Sequence, residues 1–288
     1  MSSIPALVDT DWLAEHSGDP QLTIVDATTF LNRPQGDGAR AAESGRAVYE
    51  QAHIPGAIFA DLLLEFADQD SGRRFTVLPS DVFAQKAGAL GIGDGAHVVV
   101  YDQGEDMWAT RLWWNLRLEG FDAVSILDGG FAAWQDAGLP VVAGTEEKPA
   151  STFTAERRPE LLADQTTVLA ALEDDDVRLI NALDPDIFDG TKRTYARPGH
   201  IPGSANVFWR DLKSGDRAGT IEDARTALTR VGALEDEREV ITYCGGGIAA
   251  TYVAFHLAQL GRDDVAVYDG SMTEWAADDS LPLDVGRS

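Results

Sequence analysis

The chain has 288 residues, of which 44% are hydrophobic and 25% are charged. This length predicts about two domains, each large enough to bury its own core. The formal net charge of −25 would repel phosphate backbones and anionic lipid, so nucleic acid and membrane surfaces are excluded as expected partners. No stretch approaches the roughly 20 apolar residues that a membrane helix needs, and the first residues show no export signal.

The cysteine count sets a further limit. A single cysteine can form no intrachain disulfide and no cysteine-clustered metal site. We therefore expect no metal ion and no other cofactor, and a cytoplasmic, reducing setting for the chain.

Strand and helix patterns alternate through both halves of the sequence. In the first half they predict a strand at 22–25, a helix at 79–90, a strand at 97–101, a helix at 108–118 and a strand at 123–127. In the second half they predict a strand at 177–180, a helix at 221–231, a strand at 239–243, a helix at 250–260 and a strand at 265–268. This alternation predicts an α/β fold, with mostly parallel sheets flanked by helices and ligands bound at the carboxyl ends of the strands.

Three short motifs occur twice, in the same order and at nearly the same spacing. The motifs are His53-Ile54-Pro55-Gly56-Ala57 with His200-Ile201-Pro202-Gly203-Ser204, Val98-Val99-Val100-Tyr101-Asp102 with Val240-Ile241-Thr242-Tyr243-Cys244, and Asp128-Gly129-Gly130 with Asp269-Gly270-Ser271. Such a repeat indicates a duplicated domain. We predict a first domain at 1–143, a linker at 144–153 and a second domain at 154–288. The segment 33–46 has no counterpart in the second half and predicts a long surface loop.

Cys244 stands where an apolar strand ends, three glycines follow and a helix begins. Backbone N–H groups of such a loop and helix start form an anion-binding nest, which stabilises a thiolate. A free cysteine is often only a small buried hydrophobe, but this position favours a nucleophile. Asp102 takes the same place in the first half, and a carboxylate cannot perform thiolate chemistry. We therefore predict a catalytic second domain and a structural first domain, whose loop we expect to differ in size.

These residues resemble the rhodanese family in its tandem-domain form. The motifs that carry the resemblance are the two His-Ile-Pro-Gly segments, Leu78-Pro79-Ser80, Val98 to Asp102, Arg111-Leu112-Trp113-Trp114, Leu127 to Gly130, and Tyr243 to Ala250. The resemblance implies two rhodanese-like domains and a sulfurtransferase, in which Cys244 takes a sulfane sulfur from a small anionic donor and becomes a persulfide. A thiol or cyanide would then accept the sulfur, with a thioredoxin-like protein as a further candidate.

The resemblance also implies which residues surround the sulfur. The N–H groups of Gly245, Gly246, Gly247, Ile248 and Ala249 would hold the persulfide. In this family the active cleft lies between the domains. Met107 and Trp108 match positions that wall it.

The loop composition bears on the donor. Members that prefer thiosulfate carry basic side chains directly after the cysteine, where this chain has Gly245 and Gly246. The branch that prefers 3-mercaptopyruvate has Cys-Gly-Ser-Gly, which this loop matches except at Gly246. The resemblance therefore implies that 3-mercaptopyruvate is favoured over thiosulfate.

Two anion-binding arginines of that branch are missing, because their positions hold Leu183 and Ile187. Arg193 stands at the family's spacing from His200 and is a candidate for binding the donor carboxylate. Lys192 and Arg197 are further candidates from the same loop, and Asp61 is one from the first domain. For Lys192, Arg193 and Arg197 the alternative interpretation is a solvated loop residue that binds no donor.

Three other interpretations bear on function. A cysteine-based phosphatase needs an arginine six positions after the cysteine, where this chain has Ala250, so that class is disfavoured. A persulfide carrier or regulatory binding module with little turnover stays open as an alternative. His53 and His200 are duplicated in both halves, and so are Asp128 and Asp269, which favours structural roles for all four.

Overall fold

The computed structural model describes residues 4–32, 41–215, 217–235 and 238–286. The elements of the first half are β1 (Leu7–Val8), α1 (Thr10–His16), β2 (Leu22–Asp26), β3 (Thr29–Asn32), β4 (Ala41–Ser44), α2 (Arg46–Gln51), β5 (Ile58–Phe59), α3 (Ser80–Ala89), β6 (His97–Tyr101), α4 (Met107–Leu118), β7 (Val124–Leu127) and α5 (Gly130–Asp136).

The elements of the second half are β8 (Leu162–Ala163), α6 (Gln165–Ala171), β9 (Val177–Asn181), α7 (Pro185–Phe188), β10 (Ala205–Asn206), β11 (Lys213–Ser214), β12 (Arg217–Ala218), α8 (Ile221–Arg230), β13 (Glu239–Tyr243), α9 (Ala249–Gln259), β14 (Ala266–Tyr268) and α10 (Ser271–Trp275). None of the described helices is long and apolar enough to cross a membrane.

Two parallel sheets form the frame of the molecule. Their strand orders are β1-β7-β6-β2-β5 and β10-β9-β13-β14-β8. The two central strands, β6 and β13, have the predicted bounds and are buried runs rich in β-branched residues. Asp102 and Cys244 directly follow them, so each lies at the carboxyl edge of its sheet. The predicted α/β fold with mostly parallel sheets is confirmed.

The two domains share one apolar core. Helices α4 and α9 pack against each other across the domain interface, where the ring of Trp113 meets that of Phe255 edge to face at 5.1 Å. The cluster that contains them continues from the first sheet to the second and includes Cys244. The cysteine loop is thus built into the interdomain contact, which fixes its position relative to both domains.

The segment between the sheets lies along the first domain. The Ser151 N–H donates to the Gly88 carbonyl at 2.9 Å, and the Arg158 N–H donates to the Leu118 carbonyl at 2.7 Å. The domain limits at 143 and 154 stay a prediction. Of the predicted surface loop, residues 33–40 lie outside the described residues, while β4 pairs with β3 as an antiparallel hairpin.

Candidate active site

The loop after β13 holds its carbonyl groups away from the sulfur of Cys244. The Cys244 carbonyl accepts the Met272 N–H at 3.1 Å, and the Gly245 carbonyl accepts the Thr273 N–H at 2.9 Å. The Gly247 carbonyl accepts Nη1 of Arg111 at 3.1 Å. Groups outside the loop therefore fix three of its carbonyls. Cys244 itself is only 2% exposed.

Ser271 supports this loop from below. Its buried hydroxyl accepts the N–H of Cys244 at 3.1 Å and that of Gly247 at 3.2 Å, and it donates to the Tyr268 carbonyl at 2.7 Å. Ser271 has a positive φ of 48°, a conformation that side-chain-bearing residues rarely adopt. The strained serine ties the start of the loop to its turning point, a role that the sequence did not indicate. The Gly247 N–H was expected to hold the persulfide, but it donates to this hydroxyl instead.

The three glycines of the loop have different reasons to be glycine. Gly247 has φ +75°, and a Cβ there would lie 2.9 Å from Nη1 of Arg111 and from Oδ1 of Asp269. A Cβ on Gly245 would overlap the hydroxyl of Tyr195. A Cβ on Gly246 would be 3.9 Å from Oγ1 of Thr273, with ample room. Only the first and third glycines are thus required by their surroundings.

A buried ion pair fastens the loop to the first domain. Nη2 of Arg111, on α4, lies 2.7 Å from Oδ1 of Asp269, which follows β14. The other carboxylate oxygen of Asp269 accepts the Val77 N–H at 3.0 Å. Arg111 therefore contacts both Asp269 and the Gly247 carbonyl, so one first-domain side chain connects the cysteine loop with the end of β14.

In the first domain, the loop equivalent to the cysteine loop surrounds a carboxylate. The buried Asp102 carboxylate accepts four main-chain N–H groups at 2.8 to 3.1 Å, donated by Gly104, Asp106, Trp108 and Ala109. Helix α4 begins five residues after Asp102, and α9 begins five residues after Cys244. The expectation that the two loops differ in size was wrong. The first loop is an occupied anion nest of the same length.

A cavity of about 280 Å³ opens onto the cysteine. Both domains line it, with Leu31, Arg74, Phe75 and Met107 from the first and Leu183, Asp184, Thr194, Tyr195, Ala196, Phe208, Trp209, Arg210, Cys244, Gly245, Gly246, Ile248, Ala249 and Thr273 from the second. Met107, one of the two residues expected to wall the active cleft, lines this cavity. Trp108 does not line it; its ring packs behind Phe75, 5.1 Å from that ring.

The cations predicted to bind the donor do not line the cavity. The Arg193 guanidinium donates to the carbonyls of Tyr195 and Ala196 in its own loop. Arg197 donates to four carbonyls at the end of α10 and just after it, those of Trp275, Ala276, Asp278 and Leu281. Lys192 is exposed. Donor binding by these residues stays a prediction to which the geometry gives no support, because two of them brace the chain instead.

Asp61 also has a local role. Its buried carboxylate accepts the N–H groups of Leu63 and Leu64 and the Ser44 hydroxyl, so it fixes a turn and the β3–β4 hairpin. Leu183, at one position where the family arginine is missing, lines the cavity with an apolar side chain. Ile187, at the other, is buried in α7. Of the two positions without the arginine, only Leu183 therefore contributes an apolar side chain to the cavity wall.

The duplicated histidines have structural roles. Nδ1 of His53 lies 2.7 Å from the Tyr49 carbonyl, and Nδ1 of His200 lies 2.8 Å from the Phe188 carbonyl. Each also makes an antiparallel bridge, to Val142 or to Asp284. Both are buried and neither lines the cavity. The structural assignment made from their duplication therefore agrees with their surroundings.

A second charged pair crosses the interface behind the cavity. Nζ of Lys213 lies 2.6 Å from Oδ2 of Asp106, and both side chains are almost fully buried. Burial, with the nearby Asp102 charge acting in the same direction, raises the pKa of Asp106 to about 7. No group of three His, Cys, Asp or Glu among the described residues is arranged to hold a metal ion.

Two arginines that were not predicted from the sequence line the cavity, Arg74 and Arg210. Arg210 pairs with Glu105 of the first domain, and its guanidinium lies 4.9 Å from the centre of the Trp209 ring. Both arginines stand beside an aromatic residue in the sequence, Phe75 or Trp209. That pattern was the available signal, although it becomes specific only once the interface is known.

Comparison with known proteins agrees with this geometry. The rhodanese-like domain family matches the chain twice, at residues 9–137 and 164–278. The 3-mercaptopyruvate sulfurtransferase of Escherichia coli (strain K12) is 34% identical over 280 residues, which cover 96% of this chain and 97% of that protein. The thiosulfate sulfurtransferase of Mus musculus is 34% identical over 282 residues, which cover 94% of this chain and 91% of that protein.

Among solved structures, the chain resembles SseA from Escherichia coli, a 3-mercaptopyruvate sulfotransferase with the rhodanese fold. The two share 33% sequence identity and a TM-score of 0.80, over 92% of this chain and 98% of the other. The chain therefore belongs to the rhodanese family, with two copies of the domain. Within that family it is a sulfurtransferase.

Proposed function

We propose that Cys244 takes a sulfane sulfur from a small anionic donor, carries it as a persulfide and passes it to a thiol or to cyanide. The donor favoured is 3-mercaptopyruvate over thiosulfate. In the first half-reaction the thiolate attacks the donor sulfur, and the S–S bond forms as the bond between that sulfur and the rest of the donor breaks. The leaving group takes the electron pair of the broken bond, and the deprotonated persulfide carries a negative charge on its outer sulfur. The loop must stabilise that charge without a basic side chain of its own.

The occupied nest around Asp102 is the observation that carries this proposal. It shows that a loop of this length, between these elements, holds one negative charge with four N–H groups. The N–H groups at the same places in the second loop belong to Gly246, Ile248, Ala250 and Thr251. That of Thr251 donates to the Ile248 carbonyl at 3.0 Å. The other three donate to no acceptor among the described residues, which leaves them for the sulfur.

The cavity supports the choice of donor. Thiosulfate is a dianion, and Gly245 and Gly246 supply no positive charge next to the nucleophile. The Asp184 carboxylate also lines the cavity and would oppose a second negative charge. A donor with one carboxylate needs one cationic partner, for which Arg74 and Arg210 are the cavity-lining candidates. The apolar wall at Leu183 and Phe208 fits the uncharged part of such a molecule.

The second half-reaction needs an acceptor that reaches a nearly buried sulfur. Cyanide and small thiols can enter a cavity of about 280 Å³. A protein acceptor such as a thioredoxin-like partner would have to bring its cysteine to the cavity mouth. We propose a small thiol, cyanide or such a protein as acceptor, and the cytoplasm as the location.

Cyanolysis of both donors tests the proposal. The wild-type chain should form thiocyanate from 3-mercaptopyruvate faster than from thiosulfate, and Cys244→Ser should form none from either. If the wild type turns over neither donor while a protein partner loads Cys244 with sulfur, the chain is a persulfide carrier and the proposed turnover is wrong. The loss of both family arginines is the feature that favours this second outcome.

A further inference from the structure

The two donors make different demands on the site. When the Cys244 thiolate attacks the sulfur of 3-mercaptopyruvate, the S–S bond forms and the C–S bond breaks. Its electron pair moves to the carbon beside the ketone, so the product leaves as an enolate that must take up a proton to become pyruvate. From thiosulfate, the same attack releases sulfite, which keeps the electron pair on sulfur and needs no proton. Only the first donor requires an acid in the cavity.

Most polar groups near the loop are already engaged. Oγ1 of Thr273 donates its proton to the Gly245 carbonyl, and the Ser271 hydroxyl donates to the Tyr268 carbonyl. The Asp184 carboxylate accepts the Asp186 N–H at the start of α7. A phenol hydroxyl also lies directly on the cysteine loop, at Gly245, and it belongs to Tyr195.

Tyr195 and the residue after the nucleophile form a matched pair. Tyr195 lines the same cavity as Cys244, and its ring and hydroxyl occupy the space where a side chain on residue 245 would lie. A Cβ on Gly245 would be 2.9 Å from the ring carbon that bears the hydroxyl and would overlap the hydroxyl itself. The absence of a side chain at residue 245 is therefore what admits the phenol to the loop.

The loop that carries Tyr195 is braced. Arg193 donates to the carbonyls of Tyr195 and Ala196, and Arg197 donates to four carbonyls at the end of α10 and just after it. These contacts fix the main chain on both sides of the phenol. The two arginines that the sequence suggested as donor clamps thus hold Tyr195 in place.

We propose that Tyr195 is the acid that protonates the enolate during sulfur transfer from 3-mercaptopyruvate, an inference that rests on the proposed function. The phenol gives its proton to the carbon released by C–S cleavage. The tyrosinate then takes the proton of the new persulfide, so that Cys244 retains the charged outer sulfur within its N–H nest. The net change is one thiolate and one mercaptopyruvate converted to one persulfide anion and one pyruvate.

The test compares both donors in the full-length chain, with cyanide as acceptor. Tyr195→Phe keeps the ring and should lower kcat for 3-mercaptopyruvate by about 100-fold or more, the usual effect of losing a general acid, while kcat for thiosulfate changes little. Tyr252→Phe is the matched control. This variant removes a phenol hydroxyl from α9, and Tyr252 does not line the cavity. The rates with both donors should therefore stay at the wild-type level.

A second measurement needs no variant. The wild type should show a slower kcat in D₂O than in H₂O with 3-mercaptopyruvate and no such effect with thiosulfate. An equal loss with both donors in Tyr195→Phe, or an unchanged rate with 3-mercaptopyruvate, would overturn the role of Tyr195. A wild type that uses neither donor would instead remove the proposed function, so the two failures are distinguishable.

Discussion

Asp128 and Asp269 occupy the same place in the two halves of the chain, and each binds the opposite domain. The Asp128 carboxylate accepts the Ala218 N–H at 2.9 Å, and the Asp269 carboxylate accepts the Val77 N–H at 3.0 Å. Each also pairs with an arginine across the interface, Arg217 for Asp128 and Arg111 for Asp269. The duplication has thus produced a reciprocal interdomain contact, and one of its two ends holds the cysteine loop.

The Arg111–Asp269 pair should support both folding and turnover. Asp269→Asn keeps the shape of the side chain but leaves the buried Arg111 guanidinium without its counter-charge. We expect a loss on the order of 3 kcal/mol in the free energy of unfolding, measured by chemical denaturation, and a lower kcat because Arg111 also holds the Gly247 carbonyl.

The matched control for that variant is Asp263→Asn, which breaks the exposed pair with Arg117. Surface pairs contribute little to stability, so the free energy of unfolding should hardly change. Equal effects of the two substitutions would show that the interdomain pair has no special role.

The glycines of the cysteine loop should differ in their tolerance of substitution. Gly246→Ser places its Cβ in open space and should leave the free energy of unfolding within about 0.5 kcal/mol of the wild type. Gly247→Ala forces a Cβ into a left-handed conformation against Arg111 and Asp269, and should cost more than about 2 kcal/mol. Thermal and chemical denaturation of both variants would check the order, and a reversed order would contradict the loop geometry.

Asp106 should make stability depend on pH. Its pKa, raised from 3.8 to about 7, means that between these values the folded chain keeps a proton that the unfolded chain has released. The stabilisation that this group contributes to the folded state is therefore fully present below about pH 4 and is lost as the pH rises through about 7. Asp106→Asn should flatten the decline between pH 5 and pH 7 in denaturation experiments.

Asp122→Asn is the comparison for that experiment. The hydrogen bond from Arg158 lowers the pKa of Asp122, so its contribution is lost only as the pH falls below the ordinary carboxyl range. The slope between pH 5 and pH 7 should stay as in the wild type. If Asp106→Asn also leaves that slope unchanged, the raised pKa is wrong.

Loss of the hydroxyl should change the free energy of unfolding in opposite directions at two buried tyrosines. Oη of Tyr252 has no hydrogen-bond partner among the described residues, so Tyr252→Phe should raise the free energy of unfolding by about 1 kcal/mol. The Tyr243 hydroxyl donates to Ser204 at 2.8 Å and accepts the Ile201 N–H at 3.1 Å, so Tyr243→Phe should lower it by about 1 kcal/mol or more. A stability loss in Tyr252→Phe would point to a polar partner for that hydroxyl.

The sequence predicted the centres of the sheets better than their edges. Strands β6 and β13 have the bounds that their buried apolar runs indicated. Strands β1, β5, β8 and β10 have two residues each, too few to show a periodicity, and were not predicted. They form through pairing with a longer neighbour, which is information that local sequence does not contain.

At the candidate active site, too, only the part formed by consecutive residues could be predicted from the sequence. Cys244 and its glycines are consecutive, so their chemistry could be predicted from a single stretch. Tyr195 meets Gly245 across some fifty residues of chain, and Phe75 comes from the other domain. Arg193 illustrates the difficulty, because its charge and spacing suggested a ligand contact while its guanidinium instead binds carbonyls of its own loop.

The central claim is that Cys244 carries the transferred sulfur, and intact-protein mass spectrometry tests it most directly. After incubation with 3-mercaptopyruvate and removal of excess donor, the wild type should gain the mass of one sulfur atom, and a digest should place it on the peptide that contains Cys244. Cyanide should remove this sulfur with formation of thiocyanate. Cys244→Ser should gain nothing. Thiocyanate formation by Cys244→Ser at the wild-type rate, or turnover by a wild type that never shows the added sulfur, would contradict the account.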